Sequence, residues 1–74
     1  MSANPSPTGW DLAVGSFPAL LDLETAVRLA GRLHNGDLGR PYVEWRRRLQ
    51  DLAGDSPYYD DCHRHLLDIW EGAA

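Results

Sequence analysis

Hydrophobic residues return at helical spacing in three stretches of this chain. In the first stretch, apolar side chains recur every three or four positions and fall on one face of a helix. That face contains Leu23, Ala26, Val27, Ala30 and Leu33. We expect Asp22 to cap the start of the helix and Gly36 to end it in the left-handed conformation. The pattern therefore predicts a helix over about 22–35.

The same period is present in two later stretches. Pro41 suits the first turn of a helix over about 41–53. The predicted buried face of this second helix contains Tyr42, Trp45, Leu49, Leu52 and Ala53. A third helix is predicted over about 57–71, with Ser56 as its cap and Gly72 as its end. Its predicted buried face contains Tyr58, Tyr59, Cys62, Leu66, Ile69 and Trp70.

The N-terminal part of the chain lacks a clean period. Residues 1–9 combine prolines with small polar residues, which predicts a flexible tail. In the stretch "WDLAVGSFPALL" that follows, Trp10, Leu12 and Val14 alternate as in a short strand, although no second strand is available to pair with it. We expect an extended segment over the core, then a short helical turn that starts near Ser16–Pro18. Whether residues 10–21 form a strand, a helix or a loop stays open.

Together these elements predict an all-α fold. The expected architecture is a small single-domain bundle of three main helices, over residues 10–74, with an extended or short-helical N-terminal segment. A chain of 74 residues is long enough for one small domain. A domain of this size buries only about 60% of the surface that its unfolded chain exposes. Its stability is therefore expected to be marginal.

The composition limits the cellular locations and the kinds of cross-link that we expect for this chain. Cys62 is the only cysteine, so no disulfide can form within the chain. No run of about 18 apolar residues is present, and the N-terminus lacks the pattern of a signal peptide. We therefore expect a cytoplasmic protein that does not span a membrane.

The stretch "DSPYYDDCHRHLLDIW" holds the residues most often found in metal and catalytic sites. On a helical wheel Cys62 lies inside the apolar arc, whereas His63 and His65 lie near its opposite edges and cannot easily reach one ion. A structural zinc site needs four ligands, and His34 is the only other histidine. A nucleophilic cysteine must be a thiolate, which apolar burial disfavours. We expect a buried thiol between two histidines, with no metal, no cofactor and no enzymatic activity.

Charge is distributed unevenly along the chain. The formal net charge is −4, and all seven basic residues are arginines. On the predicted third helix four carboxylates share the face opposite the apolar arc, interrupted only by Arg64. These carboxylates belong to Asp60, Asp61, Asp68 and Glu71. Such a face is either simply solvated or attracts a basic surface of a partner.

A run of arginines lies on the predicted second helix. Consecutive residues of a helix point in different directions, so Arg46, Arg47 and Arg48 do not form one basic face. The i,i+4 spacing predicts that Glu44 pairs with Arg48 and that Arg47 pairs with Asp51. A solvated, ion-paired face, a protein contact through Arg47 and Arg48, and nucleic-acid binding are the three interpretations of this run. The earlier stretch "LLDLETAVRLAGRL" resembles the opening helix of small winged or helix-turn-helix regulators, in one generic helix that assigns no family.

The leading functional hypothesis is a small acidic, non-enzymatic protein-binding module. It would act as an inhibitor or adaptor of the phage or mobile-element type, on a larger protein such as one that handles nucleic acid. One alternative is a small helical nucleic-acid-binding regulator that uses Arg40 and Arg46–Arg48. A second alternative is an accessory subunit of an enzyme complex. The chain is expected as a monomer or homodimer, and its candidate partner-binding residues are Asp60, Asp61, Arg64, Asp68, Glu71, Arg47 and Arg48.

Overall fold

The structure, a computed structural model, describes residues 8–72 of the chain, in which four helices are joined by turns and no strand is present. Its helices are α1 Gly9–Ser16, α2 Leu20–His34, α3 Arg40–Ala53 and α4 Tyr59–Gly72. The predicted all-α fold is therefore confirmed, with four helices in place of three main helices and an N-terminal segment. Residues 1–7 of the predicted tail lie outside the described residues.

Helix α1 replaces the extended segment that we predicted after Trp10. Thr8 begins the helix with a capping box: its Oγ1 accepts a hydrogen bond from the Asp11 amide at 3.2 Å, and the Asp11 carboxylate accepts one from the Thr8 amide at 3.3 Å. Trp10 and Ala13 then lie one turn apart and are both buried. Leu12 is 44% exposed, so the apparent alternation of a strand is a coincidence of composition.

The junction between α1 and α2 is a tight turn. Helix α2 starts at Leu20, whose amide donates to the Phe17 carbonyl at 3.0 Å, and the N-cap residue Ala19 provides no side-chain hydrogen bond. The prediction that Asp22 caps this helix was wrong; it lies in the first turn, where a carboxylate still interacts favourably with the helix dipole. At the other end the left-handed conformation is shared by Asn35 and Gly36, with φ of 52° and 70°.

Helices α3 and α4 lie close to their predicted ranges. Pro41 occupies the first turn of α3, as expected. Helix α4 starts at Tyr59, later than predicted, because the chain first forms a turn over residues 57–58. The Ser56 hydroxyl oxygen accepts from the Tyr58 amide at 3.1 Å, so it stabilises this turn rather than the helix itself.

The core forms where α2 and α4 pack against each other, with α1 and α3 packed on either side of that pair. Its buried residues are Trp10, Ala13, Leu20, Leu23, Val27, Trp45, Leu49, Ala53, Cys62, Leu66 and Trp70. Within residues 8–72 no polar or charged residue is buried. The predicted faces of α3 and α4 are confirmed, but Leu33 of α2 is 79% exposed. The buried face of α2 is turned toward Leu20 and Gly31, which leaves Leu33 on the outside.

Candidate functional site

His65 joins three helices at one edge of α4. Its Nε2 lies 2.6 Å from Oε2 of Glu24 on α2, within hydrogen-bond distance. Its ring stacks on the indole of Trp10 in α1, with ring centroids 4.2 Å apart and planes inclined by 17°. The side chains of His65 and Glu24 are 34% and 21% exposed to solvent. This edge is therefore a polar contact at the surface of the bundle.

His63 lies at the opposite edge of α4 and faces α3. Its Nε2 is 2.8 Å from the hydroxyl oxygen of Tyr42, and its ring lies beside those of Trp45 and Tyr59. Burial lowers the pKa of His63, and the nearby Arg46 guanidinium lowers it further, against a smaller opposing effect of Asp60. The neutral ring is thus favoured. The two histidines occupy opposite edges, as the helical wheel predicted.

Cys62 lies between these edges and is fully buried. Burial raises the pKa of its thiol, and the charge of Asp61 raises it further. The side chain is therefore a protonated, apolar core group at neutral pH. Across residues 8–72, no three His, Cys, Asp or Glu side chains come together in a way that could hold a metal ion.

The acidic face of α4, which we define as Asp60, Asp61, Asp68 and Glu71, is exposed along its whole length. None of these carboxylates forms an ion pair with another described residue. Arg64 is exposed within the same face. The acidic face is thus a surface of available negative charge.

An open depression of about 260 Å³ lies where the N-terminus of α1 meets α4. It is lined by Thr8, Gly9, Trp10, Asp61, Arg64, His65 and Asp68. The structure therefore brings three predicted contact residues together with His65, while Asp60 and Glu71 lie outside the depression. The α1 residues were not identified as candidates from the sequence, because the helix that carries them was not predicted. The capping pattern around Thr8 and Asp11 was the signal that could have identified it.

The arginines of α3 point in different directions, as predicted. Arg40 and Arg47 line a shallow depression on the outer side of the helix, whereas Arg48 lines another that faces α2. The predicted pairs Glu44–Arg48 and Arg47–Asp51 are absent from the ion pairs of the described chain, so that prediction was wrong. Exposed pairs gain little energy and lose side-chain entropy, which explains why correct spacing did not produce them.

Helix α2 carries an exposed apolar surface. The sequence pattern predicted that Leu33 is buried, and it assigned neither Leu21 nor Leu29 to a face. Leu21, Leu29 and Leu33 are 49%, 59% and 79% exposed. Arg28 and Arg32 are exposed on the same helix. The three leucines lie in one row of residues four apart, interrupted only by Thr25, so they form an exposed apolar strip along the helix.

None of the helices within residues 8–72 has the length and apolar character needed to cross a lipid bilayer. Comparison of the chain with known protein families, with curated proteins and with solved structures gives no match in any of the three.

Proposed function

We propose that this chain is a small acidic protein-binding module without enzymatic activity, of the inhibitor or adaptor kind. The acidic face of α4 is the surface proposed to contact a basic region of a larger protein. The observation that carries the proposal is the availability of this face: four carboxylates are exposed on one helix, and none is ion-paired within the described chain. A cytoplasmic location stays an expectation from the sequence.

The electrostatics favour a charged partner. Four carboxylates against the single Arg64 concentrate negative charge on one helix of a chain whose net charge is −4. Such a surface attracts a basic patch over roughly the 10 Å Debye length at 0.1 M salt, and it repels nucleic acid. A partner with a basic groove, such as a protein that handles nucleic acid, therefore fits the charge. An inhibitor of the phage or mobile-element type would act by covering such a groove.

The depression beside α1 gives this charged surface a concave site. Asp61 and Asp68 border it, and the stacked pair of Trp10 and His65 forms its wall. One long cationic side chain of a partner would place its stem against the aromatic wall and its charge near Asp61 and Asp68, in competition with Arg64, which lines the same depression. The site offers no thiolate, because the Cys62 thiol is buried in the core. These features support recognition rather than nucleophilic catalysis.

The test is capture of partners from the native cell or host at increasing salt, with wild-type chain and with the double variant Asp68→Arg/Glu71→Arg. Both residues lie beyond the first turn of α4, so the change does not remove a favourable carboxylate from the helix N-terminus. Substitution at exposed positions usually changes stability by within about 0.5 kcal/mol. We expect the double variant to fold and to lose its partner.

The matched control is Asp51→Arg/Asp55→Arg, which makes the same change in net charge at two exposed carboxylates outside α4. It should keep the partner. Equal capture by both double variants would contradict the proposal, as would binding that salt does not weaken.

The second candidate function is a nucleic-acid-binding regulator, and one observation favours it. Arg40 and Arg47 share a depression on the outer side of α3 with Glu44, and neither arginine forms an ion pair in the described chain. Two cations are few, since phosphate binding draws on several unpaired cations on one face. Titration of a mixed duplex probe with wild type and Arg40→Gln/Arg47→Gln tests this candidate. Tight, salt-sensitive binding that only the arginine variant loses would favour it over the acidic-face proposal.

A further inference from the structure

Among the described residues that line the depression beside α1, only His65 is of a type that changes its charge near neutral pH. The other charged residues there are Asp61, Arg64 and Asp68. Carboxyl groups ordinarily titrate near about pH 4, and arginine keeps its charge at every physiological pH. An imidazole gains or loses a proton between about pH 5 and 8. The charge of the depression in that range is therefore controlled by His65.

Two contacts hold the His65 ring at the wall of the depression. Its Nε2 lies 2.6 Å from Oε2 of Glu24, and its ring stacks on the indole of Trp10 with centroids 4.2 Å apart. The Glu24 carboxylate accepts a hydrogen bond from Nε2 in the neutral ring that carries its proton there, and also in the charged ring. Titration of His65 therefore changes the charge of the wall while the ring keeps its partner.

The charged groups around His65 come from two helices. Helix α4 contributes Asp61, Arg64 and Asp68, and α2 contributes Glu24, with Arg28 at 3.9 Å from the same Glu24 oxygen. The α1 residues that line the depression carry no charge on their side chains; they are Thr8, Gly9 and Trp10. With a neutral His65, the three carboxylates thus exceed the two guanidinium groups by one negative charge. Protonation of His65 cancels this excess.

We propose that protonation of His65 regulates this depression: it binds a cationic side chain of a partner while the ring is neutral and binds it weakly once the ring is charged. The inference rests on the proposed function, since it concerns the same depression. A cation against the wall of Trp10 and His65 would lie beside the imidazolium, and like charges repel. The imidazolium also pairs with Glu24 and removes the attraction of that carboxylate for the cation.

Linkage gives the direction of the pH effect. Because the cation favours the neutral ring, binding releases a proton from those chains in which His65 is charged. The affinity therefore falls as the pH decreases through the titration of His65, before the carboxyl groups themselves are protonated. The partner would bind at neutral pH and dissociate as the medium becomes acidic.

The test is the affinity of the full chain for an oligoarginine peptide at constant salt, measured by fluorescence anisotropy from about pH 7.5 to 5.5, with circular dichroism as the check that the chain stays folded. Wild-type affinity should fall by about three- to tenfold at the lower pH. His65→Gln carries no charge at either pH, and its amide is still a donor for Glu24; it should lose most of this dependence. His63→Gln, at the opposite edge of α4, is the matched control and should retain it.

Proton release keeps the inference testable even where His65→Gln does not fold. Titration calorimetry of wild type in two buffers with different ionisation enthalpies should detect protons released on peptide binding near about pH 6. Affinity that is the same at both ends of the pH range, or a dependence that only His63→Gln loses, overturns the inference and leaves the proposed function in place. A peptide that does not bind at any pH contradicts the proposed function, and the inference then falls with it.

Discussion

The two edges of α4 are built from different kinds of contact. On the α1 side, a glycine lies against a charged side chain: a methyl group added at Gly9 would come within 2.6 Å of Cβ of Asp61. The stacked pair of Trp10 and His65 completes this edge. On the α3 side the contact is aromatic. The ring of Tyr42 is set edge-on to that of Trp45, with ring centroids 5.0 Å apart, and the Tyr42 hydroxyl is hydrogen-bonded to His63.

The difference explains which helix the hydrophobic pattern reveals. Large apolar residues at helical spacing attach α3, and these produce a strong periodic signal. Helix α1 is only eight residues long, and it attaches through the buried Trp10 and Ala13 and through the close approach of Gly9 to Asp61, so it contributes little to such a signal. The capping box at Thr8 and the close packing at Gly9 therefore contribute to this fold alongside its apolar faces.

The largest expected effect is on the α3 side. Trp45 is 5% exposed and packs near Trp70. Trp45→Ala should lower the free energy of unfolding by about 3–5 kcal/mol. Because small domains have only about 5–15 kcal/mol in total, the variant should be largely unfolded or close to it. Urea denaturation followed by circular dichroism measures the loss.

Trp45→Phe is the matched control. The indole Nε1 of Trp45 has no hydrogen-bond partner among the described residues, so Phe removes no hydrogen bond and preserves most of the apolar contact. We expect this variant to keep most of the stability. A loss as large as that of Trp45→Ala would show that the size of the indole, rather than the presence of a large ring, holds α3 in place.

The α1 side should respond to a single methyl group. Gly9→Ala should destabilise the chain by about 1–3 kcal/mol, because the new Cβ overlaps the Asp61 side chain and one of the two helices must shift. Gly15→Ala in the same helix meets nothing within 4 Å and should stabilise it by about 0.5–1 kcal/mol. Thermal melts of both variants compare them directly. Similar changes in both would contradict the close approach at Gly9.

The smallest expected effect is the pH dependence that His63 contributes. Folding lowers the pKa of this side chain from its ordinary 6.5, so between the two values the unfolded chain binds a proton that the folded chain does not. Its contribution is complete above about pH 6.5 and is lost as the pH falls through the lowered pKa. Urea midpoints measured from about pH 7.5 to 5 should therefore fall, and His63→Gln should flatten part of that slope.

The sequence by itself determined the helical class and the ranges of the three periodic helices. It also determined the faces of α3 and α4 and the separation of His63 from His65. These properties follow from local rules, because residue spacing sets which side chains share a helical face and Pro, Ser and Gly mark its ends. The exposure of the acidic face of α4 could be predicted for the same reason.

Only the tertiary structure decided what lies beside those faces. It showed α1 as a helix, turned Leu33 outward, brought Glu24 to His65 and placed Trp10 in the wall of the depression. Each of these depends on which helices meet and how closely, and no spacing within one helix encodes that distance. The expected ion pairs of α3 failed for a related reason: sequence spacing sets reach, but solvent and side-chain entropy determine whether exposed charges stay together.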